Sequence, residues 1–554
     1  MTPEKHTRFI NVCTAIASLL GCLFIMSQRF IDPDLWGHIQ YGADWINAGE
    51  LPRTASHTYV DPGYVWVNHE NLSELAMAVV HQYFGGLGLM IGKCLLGVFV
   101  LLLIRFNAIR RGVSETVASL VLLPVAYSLA SSWCVRPQLA SFVCFALMML
   151  ILESVDRDRE TNQSFRWHIW LLVPLISIWT NSHGGFLAGI CVLMAWLGLT
   201  GLQSIFAFGW QASRKLVTQS AAVGVAVLLA PFVNPYGIEL PFWLWHSLGE
   251  ARPEINEWAS VYEQPIYWYP WLWVSCLAVL SWMFSESKRN VTHLVIFALV
   301  AFQSFQHLRH IPFMGLLLGF WIPTHLESAF ANFKRTNTEE KANSARDERL
   351  IRWQFGIGVF ALAGLLVFQL SQFGVRRNEY PVSAAEFMAK HDLNGRLVVT
   401  FDWAQYAIAA LPDSTVGFDG RFRTCYSQEV VDMHFDFITG SATNHRNRDE
   451  LGSGPFDPTK VLRFKEPQLV LIERLRDRSG SKLLDEMPEW TILYRDSVAE
   501  VWGLTELYAD PKSDRYLADS DRSITDNLQA GLAAWPALPL AEDSLPINPV
   551  FAKR

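Results

Sequence analysis

The chain has 554 residues, of which 51% are hydrophobic and only 18% charged, and it carries 22 Trp; this is the composition of a polytopic membrane protein, because tryptophan gathers at membrane–water interfaces. A net charge of −7 over this length leaves no basic footprint, which excludes nucleic acid as a partner. Of the eight cysteines, Cys13, Cys22, Cys94, Cys144, Cys191 and Cys276 lie inside apolar runs and none forms a CxxC pair, which argues against a disulfide framework or zinc site, while Cys134 and Cys425 read as free thiols on the outer side.

Apolar windows long enough, or nearly so, to span a bilayer fall at 9–28, 84–104, 114–132, 137–152, 168–181, 185–209, 216–233, 267–284, 291–306, 310–325 and 353–373. No small-residue cleavage site follows the first, so it reads as a retained anchor. Lys and Arg alternate strongly between the connecting segments. One set carries eighteen, among them Arg105, Arg110, Arg111, Arg157, Arg159, Arg166, Lys334 and Lys341; the other carries five, Arg29, Arg53, Arg136, Arg252 and Arg309. The positive-inside rule puts the N-terminus in the cytoplasm, and about eleven spans put residues beyond 373 outside.

Directly after the first span comes Asp32-Pro33-Asp34-Leu35-Trp36-Gly37-His38. Read as a helix start, Asp32 is the N-cap, Pro33 is N1, and Asp34 meets the helix dipole. At 100° per residue, Asp34, His38, Tyr41 and Trp45 share a face, and Gly49 stops the helix. Asp61-Pro62-Gly63 then predicts a turn between two short extended pieces, and Asn68 a cap for a helix carrying His69, Glu70 and Glu74. Residues 72–83 are too short to span and read as an interfacial helix closing a first outer loop over 29–83.

Residues 374–508 have the pattern of a small α/β domain, outside the cytoplasm on this topology. Helices are predicted at Val382–His391 and Asp402–Leu411, strands at Arg396–Phe401, Val416–Phe418 and Gln468–Ile472, and a closing hairpin at Trp490–Tyr494 and Val498–Trp502. Residues 509–554 are acidic and Ser/Pro-rich and are expected to be disordered; 327–350 is expected to be a cytoplasmic linker. The fold class is therefore a polytopic α-helical membrane protein over 1–373, followed by an extracytoplasmic α/β domain.

Polar groups concentrate at the outer ends of the spans: Arg136-Pro137-Gln138, Asn181-Ser182-His183, Asn234-Pro235-Tyr236-Gly237, Glu257-Trp258 and His307-Leu308-Arg309-His310. Such groups at membrane depth are costly and usually face a cavity, so these turns are expected to build one polar chamber roofed by the first loop and the C-terminal domain. Each also has an ordinary role. Asp32 can simply cap and Asp34 simply meet a dipole; Arg136 and Arg309 can snorkel to head groups; Asn181, His183 and Asn234 can satisfy helix ends and turns; Glu70 and Glu74 can form a solvated face; Tyr41 can anchor at the interface; and Arg421 can pair within the Asp419-Gly420 turn. Their concentration on one side is what those roles leave unexplained.

The stretches Asp34-Leu35-Trp36-Gly37-His38, Trp66-Val67-Asn68-His69-Glu70, Arg136-Pro137-Gln138 and Asn181-Ser182-His183-Gly184, in this order around the acidic segment after the first span, resemble the GT-C superfamily of integral membrane glycosyltransferases, including protein O-mannosyltransferase-like and bacterial lipopolysaccharide sugar-transferase-like members. The chain departs from the resembling subgroup at Gly37 and Asn71, where Trp is expected. The resemblance implies an inverting enzyme of the cell membrane that uses a polyprenyl-phosphate-linked sugar as donor and a glycan, lipid or protein hydroxyl as acceptor. Asp34 then reads as the catalytic base with Asp32 second, and Arg136, Arg309 and His310 as the groups that stabilise the leaving phosphate. His38, Tyr41, His69, Glu70, Gln138, Asn181, His183, Asn234 and Glu257 read as substrate contacts, and the His38, His69 and Glu70 donors permit Mg²⁺ or Mn²⁺ without demanding it. The competing readings are a transporter or polymerase-type protein for lipid-linked oligosaccharides and a non-catalytic envelope scaffold. A transporter needs polar residues on both sides of the midplane, and here they are one-sided.

Overall fold

The computed structural model describes residues 3–160, 167–247, 254–336, 345–371, 373–439, 454–474, 477–527 and 529–538. The charges expected at Arg166, Arg252 and Lys341 lie outside these residues. The chain forms two compact units that are both discontinuous in sequence, one of residues 1–30 with 90–372 and one of residues 31–89 with 373–554. The first loop thus belongs with the C-terminal part of the chain, a division that sequence composition does not suggest.

The helices run α1 (Pro3–Met26), α2 (Leu35–Ala48), α3 (Asn71–Arg110), α4 (Glu115–Leu120), α5 (Leu122–Leu129), α6 (Gln138–Glu160), α7 (Leu172–Thr180), α8 (Phe186–Leu229), α9 (Glu239–Ser247), α10 (Trp268–Phe284), α11 (Val291–Gln306), α12 (Ile311–Trp321), α13 (Pro323–Thr336) and α14 (Ala345–Ser371). Among the described residues, six helical stretches are long and apolar enough to cross a membrane, and 167–180 and 291–306 are shorter apolar ones. Two of the six are broken by glycine: α3 at Gly85 (φ 60°, ψ −160°) and α8 at Gly209 (φ 77°, ψ 166°), conformations open essentially to glycine alone. The break at Gly85 falls where the sequence separates an interfacial helix from the second span.

In the helical unit every residue of α12 is buried, as suits a helix apolar on all sides. It packs against α5, α6, α10 and α11. Lipid tails are as apolar as its own side chains, so close packing must hold it, and Gly315 and Gly319 supply the approach: a Cβ at either would collide, with Ser128 and with Ile104 respectively.

The second unit holds a six-stranded mixed sheet in the order β3-β2-β4-β6-β5-β7, and a two-stranded ladder of β1 with β8. Its elements are β1 (Gly374–Arg376), α15 (Val382–Lys390), β2 (Arg396–Val399), α16 (Ala404–Ala410), β3 (Thr415–Val416), α17 (Gln428–Thr439), β4 (Leu469–Glu473), α18 (Arg478–Asp485), β5 (Trp490–Arg495), β6 (Ala499–Leu504), α19 (Thr505–Tyr508), β7 (Ser523–Ile524) and β8 (Leu532–Ala534). β2 is parallel to β3 and β4, and β4, β6 and β5 run antiparallel. One core lies between the sheet and α17–α18, built from Val398, Phe437, Val470, Ile472, Leu484, Trp490 and Trp502.

The first loop extends this sheet. Val416 N–H donates to His57 O at 2.9 Å and Tyr59 N–H to Val416 O at 3.3 Å, so residues 57–59 pair along the open edge of β3. The predicted turn closes with Tyr64 N–H on Asp61 O at 3.0 Å and aligns Thr54 with Val65.

Expected disorder from 509 onward is corrected through residue 538. β7 joins the sheet beside β5, and β8 pairs with β1, placing Gly374 opposite Ala534. Trp36 Nε1 donates to Pro536 O at 2.9 Å and Tyr406 Oη to Ala537 O at 2.8 Å. These buried tryptophan and tyrosine donors need acceptors, and the terminal segment provides them. Residues 539–554 lie outside the described ones.

Candidate active site

In the second unit the acidic stretch does not form the predicted cap. Helix α2 starts at Leu35 with Asp34 as N-cap, and Asp34 makes no side-chain cap bond. Asp32 instead accepts from Asp34 N–H through Oδ1 at 3.0 Å, while Leu35 N–H donates to Asp32 O at 3.0 Å. The tight turn over 32–35 delays the helix and makes buried Asp32 its brace. Asp34 is left half-buried, its carboxylate against Gly420.

One turn further on, buried His38 donates from Nδ1 to Glu74 Oε1 at 2.9 Å and lies 4.0 Å from Glu70 Oε2. Asn68 Nδ2 donates to Glu74 Oε2 at 2.5 Å, and Asn68 Oδ1 accepts from Glu70 N–H at 3.0 Å, in keeping with its predicted capping role. The ordinary alternative of a solvated face does not hold for Glu74, which is 2% exposed, because α2 crosses α3 so closely that Gly42 has no room for a Cβ against the Glu74 backbone. Burial works against a charged His38, but Glu74, Glu70 and Asp34 outweigh it and raise the imidazole above its ordinary pKa. His38, Glu70 and Glu74 each offer a ligand atom within 4.8 Å of the others. His69 is half-buried.

Tyr41, on the same face of α2, packs edge-on to Trp66 at 5.1 Å, and the Arg421 guanidinium lies 4.7 Å from the first ring and 4.8 Å from the second. Arg421 grips Asp419 bidentately, Nε to Oδ1 at 3.0 Å and a terminal nitrogen to Oδ2 at 2.7 Å, and donates to Ser56 O at 2.6 Å. Tyr426 Oη adds a bond to Asp419 Oδ2 at 2.5 Å. Burial pushes the Asp419 carboxyl upward, yet Arg421 and these donors hold it below the usual range. Glu74, Gln405 and Gly420 are absent from the sequence-based site. Only the turn chemistry of Phe418-Asp419-Gly420-Arg421-Phe422 signalled this corner.

The helical unit carries the other group. Arg136 donates to Glu257 Oε1 at 2.8 Å, and the Arg309 guanidinium lies 4.7 Å from the centre of the Trp258 ring. Arg136 lowers the Glu257 pKa; burial opposes this, and Arg309 and His183 add to the lowering. His183 Nδ1 accepts from Gly185 N–H at 3.0 Å and lies 2.7 Å from Ser141 Oγ, which assigns its proton to Nε2; Trp179 Nε1 donates to the same hydroxyl at 2.7 Å. His310 packs beside His307 and Phe313, and Gln138 is buried where α6 begins. Two of the predicted contacts brace the local backbone. Asn181 Nδ2 donates to Ser177 O and Val233 O, and Asn234 bonds Pro231 O, Gly237 O and Tyr236 N–H. A trio invisible in sequence, Glu153, Asp156 and His293, is knotted by Arg111 on Glu153 at 2.9 Å and His293 on Asp156 at 3.0 Å, with His293 stacked on Trp321.

No family model and no curated protein matches the chain. Solved structures do. The oligosaccharyltransferase of Archaeoglobus fulgidus, in its apo form, aligns at 10% identity over 85% of this chain and 70% of its own, with a TM-score of 0.52. ArnT from Cupriavidus metallidurans, bound to undecaprenyl phosphate, aligns at 12% identity over 90% of this chain and 98% of its own, with a TM-score of 0.55. Both are GT-C membrane glycosyltransferases, and the chain has the GT-C fold.

Proposed function

We propose that this protein is an inverting glycosyltransferase of the cell membrane, moving a sugar from a polyprenyl-phosphate donor to a hydroxyl of a glycan, lipid or protein acceptor at the outer face. The observation that carries this reading is Asp34. Its carboxylate lies at the head of α2 against Gly420, close enough to act on His38, while Asp32 takes the local structural task. As the acceptor oxygen attacks the anomeric carbon, its proton passes to Asp34, the bond from that carbon to the phosphate oxygen breaks, and the electron pair leaves with the lipid phosphate. Single displacement inverts the anomeric centre.

Arg136, Arg309 and His310 are the donors assigned to the departing phosphate, with Glu257 holding Arg136 in place. His38 and Glu70 are assigned to sugar hydroxyls. Alternatively the same imidazole and carboxylates suit Mg²⁺ or Mn²⁺: His38, Glu70 and Glu74 would then hold the ion, His38 through a deprotonated nitrogen. When bound, it supplies Lewis-acid stabilisation of phosphate charge. The cytoplasmic N-terminus and extracytoplasmic C-terminal domain of this reading rest on the Lys and Arg asymmetry.

The test is Asp34→Asn in membranes supplied with radiolabelled polyprenyl-phosphate sugar. The variant should insert and fold normally and lose transfer by about 10²-fold or more, the lower end of what a general base contributes. Full transfer would remove Asp34 as the base.

A further inference from the structure

Gln405, the second residue of α16, is 3% exposed, and its Oε1 meets no hydrogen-bond donor among the described residues. Its carboxamide is wedged between two glycines. A Cβ at Gly37 would collide with Oε1, and a Cβ at Gly420 would collide with both Gln405 Nε2 and Asp34 Oδ1. The amide nitrogen and an Asp34 carboxylate oxygen thus both border the space that Gly420 leaves open. This orientation of the amide is the favourable one, because the flipped carboxamide would set its oxygen against the carboxylate.

The surroundings hold α16 still. Its next residue, Tyr406, is anchored to Ala537 O and packs edge-on against Trp36 at 5.0 Å. Trp36 in turn meets Tyr380 at 5.0 Å. A flexible side chain is therefore held on a rigid base, with its donor end close to the acid two residues before Trp36.

We infer that Gln405 is a positioning residue, and that with Gly420 it fixes the rotamer of the Asp34 carboxylate for proton removal. The inference rests on the reading of Asp34 as the base. It assigns to the C-terminal domain a direct part in the reaction, through a group that itself touches no substrate. An oxygen left without a donor is a poor reason to bury an amide for stability alone.

Gln405→Glu keeps the length and volume and replaces the donor by a second carboxylate facing Asp34. Gly420→Ala adds one carbon whose nearest neighbours are the movable ends of the Asp34 and Gln405 side chains, so the fold accommodates it while the carboxylate is displaced. Steady-state transfer with the full-length protein in detergent should show kcat reduced about 10²-fold in both, the loss expected for a misplacement near 1 Å, with donor KM within about twofold of wild type. The unfolding temperature of Gly420→Ala should stay near that of wild type, while that of Gln405→Glu falls through the cost of a second buried carboxylate. A merely structural role would move the unfolding temperature and leave kcat of the folded fraction intact, and that result overturns the proposal. Inactive Asp34→Asn beside fully active Gln405→Glu and Gly420→Ala overturns it alone. Active Asp34→Asn removes the base reading and this one together.

Discussion

Two aspartates two residues apart do different work, and the difference lies in where the backbone closes. Asp32 accepts from the turn it starts, which leaves Asp34 without a capping bond at the head of α2. The shared face of Asp34, His38 and Tyr41 was legible from helical periodicity. The cap was not, because Pro33 fits the first position of a helix and the first position of a turn equally well. Partners arriving from distant sequence, such as Glu74 for His38 or Gly420 for Asp34, leave no local trace. The Asp419–Arg421 pair is the sharpest case: Asp419 is fully buried, and Arg421 rests on two rings of the first loop. Removing one charge strands the other, so Asp419→Asn should cost about 3–5 kcal/mol at neutral pH. The native carboxyl titrates below its ordinary range, so its contribution is complete above the unfolded carboxyl pKa of about 4 and disappears as pH falls through the lower native value. Denaturant unfolding of wild type and variant should therefore differ fully at pH 7 and converge below about pH 4. An equal gap at both would assign the loss to packing.

At the level of elements, apolar windows located the helices well, since length and composition suffice for that. They said less about where a helix breaks. Gly85 and Gly209 sit inside hydrophobic stretches as ordinary small residues, and only their dihedral angles disclose the kinks. Gly85→Ala forces a side chain into a conformation that costs about 1–3 kcal/mol, and its unfolding temperature in detergent should fall accordingly. Gly92→Ala, seven residues on in the same helix with open space around its Cα and no such dihedral, is the matched control and should be neutral or slightly stabilising. The strands of the α/β domain were legible to within a few residues. The β1–β8 ladder was not, because three residues at each end of a polar stretch carry no periodicity.

Across the whole molecule, composition divides the chain at residue 373, whereas contacts join residues 31–89 to everything after 372. No sequence pattern announces that residues 57–59 will lengthen a sheet whose strands begin at 396. The same unit is closed by its final described segment, which supplies the acceptors for Trp36 and Tyr406. Deleting residues 531–554 should therefore abolish transfer and raise hydrogen exchange over residues 31–48, read by mass spectrometry, while exchange in α12 stays unchanged.

The bond from Trp36 to Pro536 joins residues 500 positions apart. The acid two residues before Trp36 is therefore translated long before the segment that supports it. At about 5–20 residues per second, some half a minute or more of elongation separates them. Throughout that interval a nascent chain carries the carboxylate on a helix whose tryptophan has no acceptor. Competence to react thus waits for residue 536 to be translated, and a ribosome that stalls before it releases an inert product.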